Sequence, residues 1–408
     1  MAPQLEPRFF RHEYGRLVAV LSRRVGMAHL QTVEDAAQHA LLAATESWPI
    51  RGLPDEPAAW LFRVALNHVT DELRRAARRD RLVRRHFAIA VEESADARFP
   101  GEVGDDLLRM LFVCCDEAIP IESQLALALK TLCGFGVREI AERLLTSEAN
   151  VYKRIERARN RLRELSPAPD ALTSEQVAAR VPAVQSALYL LFTEGYLSSH
   201  HDGAIRRELC DEAQRLARLL AEHPAGAKPQ TFALLALMHL HAARMSARQD
   251  ASGGLLLLEE QDRTQWDVQE IHLGLAWLAR AASGEVFSRY HAEAGIAAEH
   301  CMAASLAQTR WDRIVACYSL LDRYAPSPLH TLNRAVAVAE LHGPAQGLAV
   351  LAGLEPPSWL VGSHLWSAVL ADLHRRCGHA ELARLHRATA LACAPSESVR
   401  RTLERRLG

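Results

Sequence analysis

The stretch "EIAERLLTSEANVYKRIERARNRLRE", residues 139–164, carries two signals at once. Its apolar residues recur at helical spacing, while its second half is studded with arginine. With Val151 on one side of an α-helix, Ile155, Ala158 and Leu162 fall on the same side and form a narrow apolar stripe. Asn150, Lys153, Glu156, Arg157 and Asn160 occupy the far side. Thr146 or Ser147 is placed to cap this helix, and Glu148 is favourable in its first turn. Just upstream, "VREIAERLL" (137–145) supplies a shorter helix whose Ile140, Ala141 and Leu144 would pack beneath the second. The pattern predicts a helix-turn-helix, with 147–163 as the helix that enters a DNA major groove. Lys153 and Arg157 can donate to guanine edges or phosphates, and Asn150 can read adenine. Arg154, Arg159, Arg161 and Arg163 are placed to neutralise phosphate. A solvated amphipathic helix with intrahelical ion pairs is the plain alternative.

The bulk of the chain limits what such a helix can do alone. At 408 residues it exceeds one ordinary core, so two or three domains are expected. Ala, Leu, Arg and Glu dominate and alternating Val/Ile stretches are scarce, which predicts an all-α fold. The net charge is −1, and residues 1–173 hold 25 Lys and Arg against 25 Asp and Glu. Any DNA contact must therefore come from charge sorted onto particular helices, and binding would be weak without a partner.

The eight cysteines form no CxxC pair, and Cys114 and Cys115 are adjacent, which is poor geometry for a shared metal. Reduced, buried thiols are expected, with no metal and no cofactor. Glu6, Arg8, Arg11 and Glu13 stand where a signal peptide would need apolar residues, and no apolar run reaches membrane-spanning length. The expectation is a soluble cytoplasmic protein with no membrane partner.

Composition shifts divide the chain into 1–80, a linker 81–104, a second helical block 105–166, a linker 167–176 and a long helical remainder 177–408. The first block contains "VEDAAQHALLAATESW" (33–48), a Pro/Gly-rich loop at 49–57, and the helix "AAWLFRVALNHVTDELRRAARR" (58–79). "LRRAARRDRLVRR" (73–85) holds seven arginines and one acid. Trp48 and Trp60 flank the loop, and an aromatic beside a basic helix can hold an unstacked base, although a Trp is more often core. Near the C-terminus, Trp366, Leu370, Gly378, Ala383, Ala388 and Pro395 follow tetratricopeptide-like helix–turn–helix spacing, with weaker echoes ending at Pro326 and Pro356. Scaffolds of that kind bind protein segments.

Together these residues resemble a bacterial RNA polymerase sigma factor of the extracytoplasmic-function type. "VEDAAQHALLAATESW" resembles region 2.2, "WLFRVALNHVTDELRR" regions 2.3–2.4, and "VREIAERLLTSEANVYKRIERARNRLRE" region 4.2. "DDLLRMLFVCCDEAIPIESQLALALKTL", "ALYLLFTEGY", "LLLLEEQDRTQWD" and "SPLHTLNRAVAVAELHGP" resemble the group that adds a long tetratricopeptide-like extension.

The resemblance implies a region 2 bundle, a region 4 helix-turn-helix and a C-terminal helical-repeat domain. It also implies core RNA polymerase and promoter DNA as partners. A cis-regulatory role for the extension follows, exerted on the sigma domains or through a protein partner. Candidate −35 contacts are then Asn150, Tyr152, Lys153, Arg154, Glu156, Arg157 and Arg161. Candidate −10 contacts are Trp60, Arg63, Asn67, Arg74, Arg75 and Arg78, and candidate polymerase contacts are Asp35, Gln38 and His39. The protein would perform no bond chemistry.

Two positions depart from the family pattern. Asp116 and Glu117 follow the cysteine pair where His-Pro is usual, and Leu145 stands where the turn often has Gly, so a different turn backbone is expected. Two other readings compete. A stand-alone helix-turn-helix regulator with a helical-repeat sensor leaves the arginine-rich first block without a role. An enzyme using His200, His201 and Asp202 of "SSHHDG" (198–203) has no supporting motif.

Overall fold

The computed structural model describes residues 7–79, 105–165, 172–197, 205–250, 254–395 and 397–408. Among them the secondary structure is helical, with one isolated antiparallel bridge between Gln249 and Leu255. The expected all-α class holds. Linker 81–104, His200, His201 and Asp202 lie outside the described residues.

The chain divides into two compact units, residues 1–191 with 222–226, and residues 192–221 with 227–408. The first contains α1 (Pro7–Val25), α2 (Leu30–Arg51), α3 (Pro57–Arg79), α4 (Asp106–Cys114), α5 (Ile121–Thr131), α6 (Val137–Arg143), α7 (Glu148–Leu165) and most of α8 (Ser174–Tyr196). Helices α1–α3 close on Val18, Leu21, Val33, Ala37, Leu61 and Val69, all fully buried. Helices α4–α7 close on Leu111, Phe112, Leu127, Leu129, Ile140 and Leu162. Each of the Val, Leu, Ile and Phe side chains among these contributes roughly 1.5–3 kcal/mol on burial. Gly15 lets α1 approach the end of α5 closely, because a Cβ there would lie 2.3 Å from the Leu132 carbonyl oxygen.

Two boundaries differ from expectation. Helix α2 runs through Pro49 to Arg51, so the loop is shorter than 49–57. Proline forfeits one hydrogen bond in the last turn, and Gly52, at φ 85, ends the helix with its N–H on the Trp48 carbonyl. Pro57 then opens α3 at the one helical position where proline is favoured. Helix α8 begins at Ser174, inside the stretch read as a connector at 167–176. A reciprocal cap explains it: Gln176 N–H donates to Thr173 Oγ1 at 3.2 Å, and Thr173 N–H donates to Gln176 Oε1 at 2.9 Å.

The second unit continues with α9 (Arg207–Glu222), α10 (Pro229–Ala242), α11 (Val268–Ala282), α12 (Arg289–Met302), α13 (Trp311–Tyr324), α14 (Pro328–His342) and α15 (Pro344–Leu351). The short α16 (Ser358–Val361) precedes α17 (His364–Arg376), α18 (Ala380–Ala392) and α19 (Glu397–Leu407). From α10 to α15 and from α16 to α19 successive helices pack on one another, as stacked helical pairs do. Gly378, at φ 78, makes the α17–α18 turn. Trp366 packs against the core of Leu332, Leu351, Leu360 and Leu373, so it is a packing residue.

Candidate nucleic-acid interface

The helix-turn-helix is built as its periodicity dictates. Ser147 caps α7, its Oγ accepting from Asn150 N–H at 3.3 Å, and Glu148 sits in the first turn. Val151, Ile155, Ala158 and Leu162 are buried, and Ile140 and Ala141 of α6 are buried beneath them. Leu145 was expected to force a different turn. Instead it takes the left-handed conformation of the glycine it replaces, at φ 50, with its side chain exposed. The tight α6–α7 turn requires that backbone, and a leucine with nothing to pack against meets the requirement at a cost of about 1–2 kcal/mol.

Along the outer face of α7, Lys153, Glu156, Arg157, Asn160, Arg161 and Glu164 line one groove. Asn150, Tyr152, Lys153, Glu156 and Arg157 are exposed, and Arg154 is half-buried. Asn150 Nδ2 bonds Thr146 Oγ1 at 3.3 Å, and Arg161 is paired with Glu164 at 2.9 Å. Both contacts are exposed and local, so a DNA partner can displace them at little cost.

The second candidate surface lies on α3. Arg63 and Asn67 are exposed one turn apart. Arg74 pairs with Asp71 at 3.8 Å and Arg75 with Glu72 at 2.7 Å, both at the surface. Arg78 belongs to the same helix, but its side chain is outside the described residues. Trp60 is half-buried, its ring edge-on to buried Trp48 at 5.4 Å, and Trp48 in turn stacks on Phe10 at 6.0 Å. Trp60 therefore has a packing role and one partly open face.

On α2, Asp35, Gln38 and His39 are exposed along one face. Gln38 hydrogen-bonds the phenol of buried Tyr14, and His39 stacks on His68 of α3 at 4.2 Å. Next to them is a residue that the sequence reading passed over. Glu34 is buried where α2 meets α5 and α7, accepting from Thr131 Oγ1 at 2.7 Å and from the Arg159 guanidinium. Burial raises its carboxyl above the usual range, outweighing the opposing pull of Arg159 and Thr131. A signal for it did exist. Glu34 falls on the same helical face as Leu30, Val33 and Ala37, where a carboxylate needs a partner.

The cysteine pair is inert. Cys114 and Cys115 are fully buried, and burial pushes the Cys115 thiol up to about 12. The unusual Asp116 accepts from Ala118 N–H at 2.9 Å and pairs with buried Arg180 of α8, which also donates to the Phe112 carbonyl at 3.0 Å. Among the described residues no cluster of His, Cys, Asp or Glu could hold a metal ion, and no helix is long and apolar enough to cross a membrane.

Residues 9–79 match the family Sigma-70 region 2, and residues 109–162 match Sigma-70, region 4. The chain belongs to the extracytoplasmic-function sigma factors. The two matches bracket the two surfaces just described. In this sigma factor a third match, residues 180–282, is to a family of unknown function, DUF6596, and covers the start of the extension. The sigma factor is similar to an uncharacterized protein of Rhizobium meliloti (strain 1021), 38% identical over 380 residues, covering 91% of this chain and 88% of that one. No solved structure matches it.

Proposed function

We propose that this sigma factor carries core RNA polymerase to a specific set of promoters, and that its extension regulates it in cis. In this reading the outer face of α7 meets the −35 element. Lys153 and Arg157 donate to base edges or phosphates, with Asn150 and Tyr152 beside them, and Arg154 and Arg161 bind the flanking backbone. Glu156 accepts from a cytosine amino group. The opening of α3 receives an unstacked base of the −10 strand near Trp60, with Arg63 and Asn67 as readers and Arg74, Arg75 and Arg78 on phosphate. Asp35, Gln38 and His39 face the polymerase. No bond is made or broken; the work is positioning and strand capture.

The observation that carries this reading is one cap-to-stripe helix-turn-helix whose stripe Val151, Ile155, Ala158 and Leu162 is buried and whose outer face carries Lys153, Arg157 and Arg161, packed with a second helical module of the matching family. The cis role is supported by Arg180. It ties α8, the first helix of the extension, to the last turn of α4 through the Phe112 carbonyl and to the α4–α5 loop through Asp116.

Purified chain added to purified core polymerase tests the proposal. Start-site-specific transcripts are expected from genomic promoter fragments, and their loss is expected for Lys153→Ala with Arg157→Ala. A chain that binds promoter DNA without core polymerase and supports no initiation would be a stand-alone regulator instead.

A further inference from the structure

The stretch "QDRTQW" (261–266) lies inside the region matched to a family of unknown function and outside both sigma-70 matches. In the second unit it assembles a cluster of arginines. Gln261 Oε1 accepts from Nε and Nη2 of Arg244 at 3.4 and 3.2 Å. Arg263 donates through Nη1 to the carbonyls of His300 and Ala303, 2.7 Å each. Both guanidiniums lie against Trp266, 5.2 and 4.5 Å from its ring centre, and Trp266 is 4% exposed with its Nε1 unpartnered. Arg248 lies 3.7 Å over the Tyr196 ring and donates to the Tyr196 carbonyl, while that ring sits 4.6 Å from His241.

These three arginines meet only rings and neutral acceptors among the described residues. Elsewhere in the same unit the pattern is the reverse: Arg206 pairs with Glu194 and Arg310 with Glu299. A set of neighbouring guanidiniums, one buried and two half-buried, given no carboxylate among the described residues is a poor structural device, since each repels the others. The two histidines of the cluster feel that field. His241 is pushed down to about 3 and His300 to about 4, by burial first and then by the surrounding arginines. They remain neutral, and the Nδ1 of each is buried without a partner, as is Nη2 of Arg263.

We propose that this cluster binds a phosphate group, either free or carried on a small metabolite. A dianionic tetrahedral oxyanion balances more than one guanidinium and accepts several N–H donors at once, which a single carboxylate cannot do. Donors remain for it: Nη1 of Arg244 and both Nε and Nη2 of Arg248 carry no hydrogen bond among the described residues. The aromatic surface is already covered by the arginines, so recognition centres on the phosphate itself. Arg263 also braces α12 through its two carbonyl contacts, which makes Arg248 the cleaner position to alter.

Calorimetry on the full-length chain at constant ionic strength, with inorganic phosphate and AMP as separate probes, tests this site without polymerase or promoter. It therefore stands or falls independently of the sigma assignment. Saturable binding is expected, weakened about tenfold by Arg248→Gln and partly restored by Arg248→Lys. Tighter binding of AMP would assign a carried phosphate, and equal or weaker binding a free one. The wild-type melting temperature should rise with the bound probe. Arg248→Gln should still fold, with little change in melting in probe-free buffer, because removal of one like charge offsets the lost contacts to Tyr196. Absence of saturable binding for both probes across the millimolar range, or an Arg248→Gln chain that binds as tightly as wild type, overturns the proposal.

Discussion

The guanidinium of Arg159, on the second helix of the helix-turn-helix, α7, closes onto the buried carboxylate of Glu34 on α2. Arg159 is one of the arginines that the sequence places for phosphate, yet here it holds the two sigma modules together. A recess beside it is lined by Gln31 of α2 and by Tyr152, Glu156 and Asn160 of α7, so part of the outer face of α7 is turned toward α2.

Arg159→Ala leaves Glu34 buried beside Thr131 with no cation, which costs on the order of 3–5 kcal/mol of the packing between the modules. Labels placed on α2 and α7 should move apart in this variant, and amides of both helices should exchange faster. An unchanged label distance would mean that the carboxylate is not a determinant of the closed arrangement.

Acidity acts on the same contact. Because the Glu34 carboxyl is raised in the packed state, that state binds a proton more readily than the open one. Packing between α2 and α7 should therefore tighten as pH falls from neutral toward the ordinary carboxylate range. Hydrogen exchange of these helices, in wild type and in Glu34→Gln, measures the effect; the variant should show none of the pH dependence.

The second unit should respond with the opposite sign. His241 and His300 are held neutral at about 3 and about 4, whereas the unfolded chain protonates them near the ordinary histidine value. Stability is fully present above that ordinary value and is lost as pH drops toward the folded values, by up to about 1.4 kcal/mol per pH unit for each ring. Melting of His241→Asn and His300→Asn chains should show a flatter acid limb.

Leu145→Gly should stabilise the helix-turn-helix by about 1 kcal/mol, since glycine adopts the left-handed turn freely and an exposed leucine gives up no packing. Leu145→Val should destabilise it, because branching at Cβ worsens the same clash. Thermal unfolding distinguishes the two directions.

In the polymerase complex, Lys153→Ala and Arg157→Ala should each weaken promoter engagement by about 1–3 kcal/mol where the lost contact is to a base, and should each lower the salt dependence by about one counterion where it is to phosphate. Transcription from one promoter across a salt series separates the two cases.

Much of this was readable in the chain because it is local. The buried stripe of α7, its cap at Ser147 and the exposed arginines follow from spacing alone, and the order of the two DNA modules follows from their residues. What escaped is long-range or conditional. Nothing near Glu34 announces Thr131 or Arg159, which are 97 and 125 residues away. Pro49 looked like a break and proved to be a tolerated last-turn residue, because its missing bond falls where the helix is already ending. The arginines at 244, 248 and 263 are unremarkable in sequence, and only folding sets them around Trp266 and Tyr196 with no acid paired to them among the described residues.

Helix α8 has a practical consequence for anyone grafting this extension onto another promoter-recognition protein. Its first two turns carry Arg180, which belongs with Asp116 and Phe112, while its last turn belongs to the second unit. A chimera joined at residue 177 would import Arg180 without its native acceptors. A junction that moves 105–191 together with the extension keeps that pairing intact.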